Sequence, residues 1–179
     1  MTRPDDAKLP GHRSRAAVEE LLRRRADRYR DPPPQRAEGG ADVLTFTRGD
    51  GSYGIPVQEL AAITRDVVIS PVPGTSPVVV GVANVRGTIV GVHDLAALRG
   101  QSIPYSTQES WLIVGAGVAA RFAILADEVE GVATIPAQGL RPAPLALGDR
   151  LGWYHGIQAD GRAILDLTGL MTDRRFAIA

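Results

Sequence analysis

Cysteine is absent from this chain of 179 residues. Without thiols the chain forms no disulfide, uses no thiolate nucleophile and binds no metal through sulfur, which fits a reducing compartment. Histidine is scarce as well, since only His12, His93 and His155 are present and no two have the spacing of metal ligands. The sequence therefore predicts no metal site.

An excess of charge and a long apolar run are also lacking. The 20 Lys and Arg residues balance the 20 Asp and Glu residues, so the chain as a whole lacks the basic character typical of nucleic-acid binding. The longest apolar run, residues 78–83, is far shorter than a membrane span, and residues 1–6 lack the apolar core of a signal peptide. We expect a cytoplasmic protein that neither binds nucleic acid nor inserts directly into a membrane.

Residues suited to catalysis do not cluster in the sequence. Gly49, Gly51 and Gly54 lack the spacing of a phosphate-binding loop, which indicates no nucleotide cofactor. His93 and Asp94 are adjacent, but neighbouring strand residues point to opposite faces and would not converge on a substrate. An enzyme that uses this pair is kept as an alternative, while the sequence favours a binding module without a cofactor.

The first 41 residues differ from the rest of the chain. Residues 14–30 carry apolar side chains at the spacing of an amphipathic helix, and the prolines at 32–34 end it. We predict a helix and a Pro/Gly-rich linker over residues 1–41, followed by one domain over residues 42–175. The helix is either a solvated appendage or a docking helix for an acidic partner. The docking hypothesis uses Leu21, Leu22, Arg24 and Arg28.

From residue 43 onward short strand patterns alternate with turns, interrupted by a short helix predicted over residues 56–62. The Asp160-Gly161 pair predicts a hairpin near the end of the chain. The stretch from Tyr53 to Asp94 is echoed by the stretch from Phe122 to Asp166. Many short strands and this echo favour two small β-barrel-like subdomains over one large sandwich.

One block, residues 81–95, has the clearest organisation. Two β-branched runs, 82–85 and 89–92, flank the polar centre Arg86-Gly87-Thr88. A glycine after the arginine permits a sharp turn between two strands, so Arg86 is predicted to sit on a rigid support. We expect Arg86 to recognise a partner, and the alternative is an internal role in which it braces a loop of its own barrel.

Residues 84–90, Asn-Val-Arg-Gly-Thr-Ile-Val, followed by Asp94-Leu95, resemble the hallmark of the CheW family of bacterial chemotaxis coupling proteins. Further matches, such as residues 127–132 and 163–167, keep the family order over about residues 43–171. The resemblance implies a mostly β fold of two SH3-like five-stranded β-barrel subdomains with short helices, to which the N-terminal amphipathic helix is added.

The resemblance also implies a function. It is that of a non-enzymatic adaptor that couples methyl-accepting chemoreceptors to the chemotaxis histidine kinase and supports assembly of the signalling array. The implied partners are the regulatory domain of the kinase and the cytoplasmic tip of the receptor, and the implied location is the cytoplasm, at membrane-associated receptor arrays. The partner-binding residues implied are Arg86, Asn84, Val85, Leu60 and Ile63, and the residues that shape the turn and the following loop are Gly87 and Asp94.

Two positions depart from the family pattern. Ala62 stands where the family often has a glutamate implicated in receptor contact, and Gly91 replaces the usual proline. Two alternatives are therefore kept beside the chemotaxis adaptor. One is a CheW-like adaptor of a non-flagellar chemosensory cluster that controls pili or second-messenger synthesis, and the other is a general peptide-binding β-barrel.

Overall fold

The computed structural model describes residues 40–105, 109–117, 122–144, 152–173 and 176. The chain divides into two compact units, Met1–Gln35 and Arg36–Ala179, and every described residue belongs to the second unit. The predicted N-terminal helix, with Leu21, Leu22, Arg24 and Arg28, lies outside the described residues.

The described part is mostly β, as the sequence predicts. Its strands are β1 (Gly40–Arg48), β2 (Gly51–Pro56), β3 (Leu60–Thr64), β4 (Ile69–Ser70), β5 (Val79–Val85), β6 (Thr88–His93), β7 (Trp111–Gly115), β8 (Phe122–Ala126), β9 (Glu128–Pro136), β10 (Tyr154–Ile157) and β11 (Ala163–Leu165). Its α-helices are α1 (Leu95–Leu98) and α2 (Leu167–Met171), and two 3₁₀ turns cover Val57–Glu59 and Ala137–Gly139.

The strands form two sheets, which confirms the expected division into two β subdomains. Sheet 1 has five strands in the order β10-β11-β2-β1-β9, and sheet 2 has six in the order β3-β7-β8-β6-β5-β4. The sixth strand of sheet 2 is the two-residue β4, which pairs with β5. The predicted hairpin at Asp160-Gly161 is present, because β10 and β11 pair in antiparallel fashion across it.

The two halves of the sequence repeat one pairing scheme, but each half contributes strands to both sheets. The hairpin β1–β2 lies in sheet 1, and its counterpart β7–β8 lies in sheet 2. Strand β2 runs parallel to β11, and in the same way β8 runs parallel to β6. The sequence echo is therefore a structural repeat with exchanged strands, and no sheet is made from one half alone.

The short helix predicted over residues 56–62 is wrong beyond Glu59. Only Val57–Glu59 form a helical turn, and Leu60–Thr64 form strand β3. Strand β3 pairs with β7 from the other half of the chain, and these long-range ladder hydrogen bonds override a weak local helix propensity.

The core with the most buried residues lies where side chains of both sheets meet. It contains Phe46 and Ile55 from sheet 1 together with Ile113 and Ile124 from sheet 2. A separate apolar cluster, which includes Val85, belongs to sheet 2. Burying each such side chain contributes about 1.5–3 kcal/mol relative to leaving it in water, so the shared core is a principal attachment between the sheets.

Substituting Gly169 tests the packing of α2. A Cβ at this position would overlap the carbonyl oxygen of Gly152, and backbone cannot rotate away as a side chain can. We expect Gly169→Ala to lower the free energy of unfolding by roughly 1–3 kcal/mol in urea denaturation. The matched control is Gly152→Ala, whose Cβ would enter open space. Equal denaturation midpoints for the two variants would show that α2 is not packed in this way.

Candidate functional site

Arg86 and Gly87 form the two-residue turn of the hairpin between β5 and β6. Val85 pairs with Thr88 across the turn, and both central residues have positive φ, 51° for Arg86 and 83° for Gly87. Two positive φ angles are typical of a type I′ turn, which matches the twist of the flanking strands. The backbone N–H of Gly87 also donates to Oδ1 of Asn84 at 2.8 Å. The hairpin therefore presents residue 86 on a fixed turn.

The Arg86 side chain is exposed. Within the described residues its guanidinium has no hydrogen bond or ion pair, so the internal bracing role has no support there. Positive φ is uncommon for a residue other than glycine, asparagine or aspartate, and such outliers often occur at functional positions. The positively charged guanidinium of Arg86, held on a rigid turn, is thus available to a partner.

The strands beside the turn determine which neighbours share the Arg86 surface. Asn84 lies opposite Ile89 in the register, and both side chains are exposed, Ile89 at 55%. The intervening Val85 is buried in the core cluster of sheet 2, so its side chain offers no surface to a partner. We call the surface of Asn84, Arg86 and Ile89 the hairpin surface. The sequence did not predict that Ile89 is exposed, because residues 89–92 form an apolar run in which no polar side chain marks the outward face.

Leu60 and Ile63 lie on β3, an edge strand of sheet 2 that pairs with β7 alone among the described strands. The Ile63 side chain is 37% exposed, while Leu60 is half-buried and packs against the shared core. We call the exposed side of β3 the edge surface. In the strand order of sheet 2, β7 and β8 lie between β3 and β6, so these two residues lie on a different strand from the Arg86 hairpin.

His93 and Asp94 do not form an acid–base pair. Asp94 caps α1, because its Oδ1 accepts the backbone N–H of Ala96 at 2.9 Å. His93 is directed elsewhere, with Nε2 at 2.9 Å from the carbonyl oxygen of Phe176. The two side chains serve separate structural contacts, as their positions on opposite strand faces predict.

Arg48, at the end of β1, is the residue that braces the fold from within. Its side chain is fully buried and forms a bidentate pair with Asp94, with Nε donating to Oδ1 at 2.9 Å and Nη2 to Oδ2 at 2.5 Å. Nη2 also donates to the carbonyl oxygen of Ile103 at 2.9 Å. Because β1 belongs to sheet 1 and Asp94 directly follows β6 of sheet 2, the pair joins the two sheets.

A second carboxylate completes this arginine site. Nη1 of Arg48 donates to Oδ1 of Asp127 at 2.6 Å, and Oδ2 of Asp127 accepts the backbone N–H of Gly49 at 2.7 Å. Burial works against the charged form, but the hydrogen bonds and charges of Asp94 and Asp127 outweigh it and raise the pKa of Arg48. Sequence reasoning missed this site because an arginine before Gly-Asp-Gly has the pattern of a solvated turn.

The fold also assembles three side chains that could offer ligands to a metal ion, Glu59, His155 and Asp166. Hydrogen bonds within the fold already engage all three of these side chains. The Glu59 carboxylate accepts Nε2 of His155 at 2.9 Å and the backbone N–H of Leu167 at 2.9 Å. Asp166 accepts the backbone N–H of Gly169 at 2.9 Å, as the cap of α2. These bonds account for the cluster as a link between the 3₁₀ turn, β10 and α2.

In the described part of the chain, no helix has the length and apolar character needed to cross a membrane.

Two sheets with a shared core, and an exposed arginine on a rigid hairpin, define a β module suited to binding. Comparison with protein families identifies the family to which this β module belongs. Residues 42–175 match the model of the CheW-like domain, which is most of the chain. The chain therefore belongs to the CheW-like family, as the resemblance in the sequence indicates.

Individual relatives agree with the family. The chain is 27% identical over 144 residues to the chemotaxis protein CheW of Klebsiella aerogenes, covering 78% of this chain and 86% of that protein. It is 25% identical over 128 residues to CheW of Rhizobium meliloti, covering 70% and 83%. It is 28% identical over 104 residues to protein FrzA of Myxococcus xanthus, covering 58% and 65%.

Among solved structures, the scaffolding protein TtCheW of Thermoanaerobacter tengcongensis has the same fold. The TM-score is 0.65 at 22% identity, over 76% of this chain and 95% of that one. With the family match and the named relatives, the chain is a CheW-like chemotaxis scaffold or adaptor, a class without enzymatic activity.

Proposed function

We propose that this chain couples a chemotaxis histidine kinase to methyl-accepting chemoreceptors and supports the array that they form. Its partners are the regulatory domain of the kinase and the cytoplasmic tip of the receptor. It works in the cytoplasm, recruited to receptor arrays at the membrane. Membership of the CheW-like family supports this role. The arrangement of exposed residues supports assigning the kinase and the receptor to different surfaces.

The observation that carries the proposal is the exposed guanidinium of Arg86 on its fixed turn. A planar guanidinium donates in a fork that fits a carboxylate or a pair of backbone carbonyls, so it fixes the register of a partner. Ile89 beside it adds apolar area, and Asn84 adds polar groups at the rim. Arginine within a small apolar patch is typical of residues that dominate binding energy.

Coupling two partners at once requires two surfaces that do not overlap. The hairpin surface and the edge surface lie on different strands of sheet 2, with β7 and β8 between β3 and β6 in the strand order, which supports assigning them to different partners. We assign the hairpin surface to the kinase and the edge surface to the receptor, with Ile63 as its exposed apolar side chain and the half-buried Leu60 at its margin. Since Ala62 replaces the usual acidic residue on β3, the receptor contact relies on apolar packing there rather than on an ion pair.

Titration of the purified chain tests the proposal. The kinase regulatory domain and a receptor-tip hairpin are added separately, and an unrelated helical peptide of equal length serves as the control. We expect saturable binding in the micromolar range to both partners and none to the control peptide. Equal binding to all three would support a general peptide-binding barrel instead. Repeating the titration with each chemotaxis-type kinase of the host separates a flagellar cluster from one that controls pili or second messengers.

A further inference from the structure

Each half of the chain places two carboxylates at the ends of neighbouring parallel strands. In one half Asp94 directly follows β6 and Asp127 directly follows β8, and β6 runs parallel to β8. In the other half Asp166 directly follows β11, which runs parallel to β2, and Glu59 ends the 3₁₀ turn after β2. The internal repeat therefore builds an equivalent pair of carboxylates in each half.

The two pairs differ in the positive charge that they hold. In the first pair, both carboxylates bond to the buried guanidinium of Arg48. In the second pair, no lysine or arginine of the described residues bonds to Glu59 or Asp166. The neighbour of the second pair is instead His155 of β10, whose Nε2 donates to Oε1 of Glu59 at 2.9 Å. A pair of carboxylates that is equivalent to the Arg48 site thus lacks a fixed cation and has an imidazole beside it.

The second pair and its histidine are arranged to share one ion. Glu59, His155 and Asp166 each offer a ligand atom, and these three atoms lie within 4.8 Å of one another. Oε2 of Glu59 accepts the backbone N–H of Leu167, and Oδ1 of Asp166 accepts that of Gly169, both at 2.9 Å. Outer hydrogen bonds of this kind orient the ligands of metal sites. In the described structure the other oxygen of each carboxylate has no backbone donor, so it is available beside the imidazole.

We propose that Glu59, His155 and Asp166 bind a divalent first-row transition-metal ion, for which zinc is the probe. One imidazole with two carboxylates suits zinc and related ions, whereas magnesium and calcium take oxygen ligands. The His155 side chain is 41% exposed, so water reaches the site and supplies the remaining ligands. The ion replaces the hydrogen that Nε2 of His155 now donates to Glu59, and the neutral ring carries its hydrogen at Nδ1 instead.

The bound ion joins the 3₁₀ turn, β10 and the cap of α2, which are separate elements of the chain. Because the ion binds the folded chain, the unfolding temperature rises with the zinc concentration. The histidine spacing in the sequence predicted no metal site, since Glu59 and His155 are 96 positions apart and only the fold brings them together.

Titration calorimetry of the full chain with zinc chloride, and separately with magnesium chloride, tests the site. We expect saturable zinc binding and no magnesium binding. His155→Ala should weaken zinc binding by more than about 100-fold, since an outer-shell partner alone is typically worth 10–100-fold. Asp166→Asn should also weaken it and keep the fold, because an asparagine oxygen can still cap α2. The control His12→Ala removes a histidine outside the described residues and should bind zinc as the wild type does.

Two calorimetric results would overturn the proposal. One is the absence of zinc binding to the wild type at millimolar concentration, and the other is equal zinc affinity in His155→Ala and the wild type. NMR of the wild type with added cobalt(II), which is paramagnetic, gives an answer that needs no variant. The signals of the His155 ring and of the Leu167 and Gly169 amides should shift or broaden first. Changes confined to other parts of the chain would contradict the site.

Discussion

Replacing Arg48 with methionine is expected to lower the free energy of unfolding by roughly 3–5 kcal/mol, because it leaves a buried carboxylate without its counter-charge. Asp94 is then buried with the backbone N–H of Ala96 as its one remaining donor among the described residues, and the Ile103 carbonyl loses the Arg48 donor. Methionine approximates the length of the arginine stem, so loss of packing contributes little. A loss of this size is a large part of the stability of a typical domain.

Urea denaturation of Arg48→Met measures this effect. The matched control is Arg99→Met, which removes a surface pair with Asp50 and should cost no more than about 1 kcal/mol. Combining Arg48→Met with Asp94→Asn should cost less than the sum of the two single changes, since the unpaired charge is removed. Strict additivity, or a cost for Arg48→Met equal to that of the control, would contradict the buried bridge between the sheets.

Reversing the charge of Arg86 is expected to weaken binding of the kinase regulatory domain by roughly 30-fold or more, the scale of an interface hot spot. Glutamate removes the donor fork and repels the acceptors that would receive it. Stability should hardly change, because the side chain is exposed and makes no ion pair within the described structure. Binding is measured by titration calorimetry and stability by thermal unfolding.

Two further variants sharpen the Arg86 experiment. Arg86→Asn should also weaken binding, yet it should keep or raise the unfolding temperature, because asparagine tolerates the positive φ of 51° better than arginine does. Arg141→Ala removes an exposed arginine from another part of the chain and should leave binding unchanged. Loss of stability in Arg86→Asn would indicate that Arg86 braces its own barrel.

The class of fold could be predicted from the sequence because strand patterns and turn residues are local signals. The Arg86-Gly87 turn and the Asp160-Gly161 hairpin both depend on residues adjacent in the chain, and both are present. The similarity of the stretch from Tyr53 to Asp94 to the stretch from Phe122 to Asp166 also indicates a repeat. The exchange of strands between the two sheets could not be read from it, because pairing partners distant in sequence leave no local mark.

The buried polar groups were the hardest features to predict. Arg48 meets Asp94 across 46 positions and Asp127 across 79, so no spacing rule connects them. Asp127 keeps an exposed side chain, as a run of acidic residues usually does, and nothing in that run indicates its bond to Arg48. In the candidate site, sequence reasoning selected Arg86 and Asn84 but included the buried Val85 and omitted the exposed Ile89, because a uniform β-branched run does not reveal which face is outward.

The most direct test of coupling is whether this chain brings kinase and receptor together. Receptor-bearing membranes are sedimented with the kinase, with and without the purified chain, and the kinase in the pellet is measured. We expect the kinase to sediment only when the chain is present. With Arg86→Glu, the chain should still sediment with the receptor while the kinase stays in solution. Kinase sedimentation that does not depend on the chain would contradict the coupling role. Loss of the Arg86→Glu variant itself from the pellet would contradict the separate surfaces.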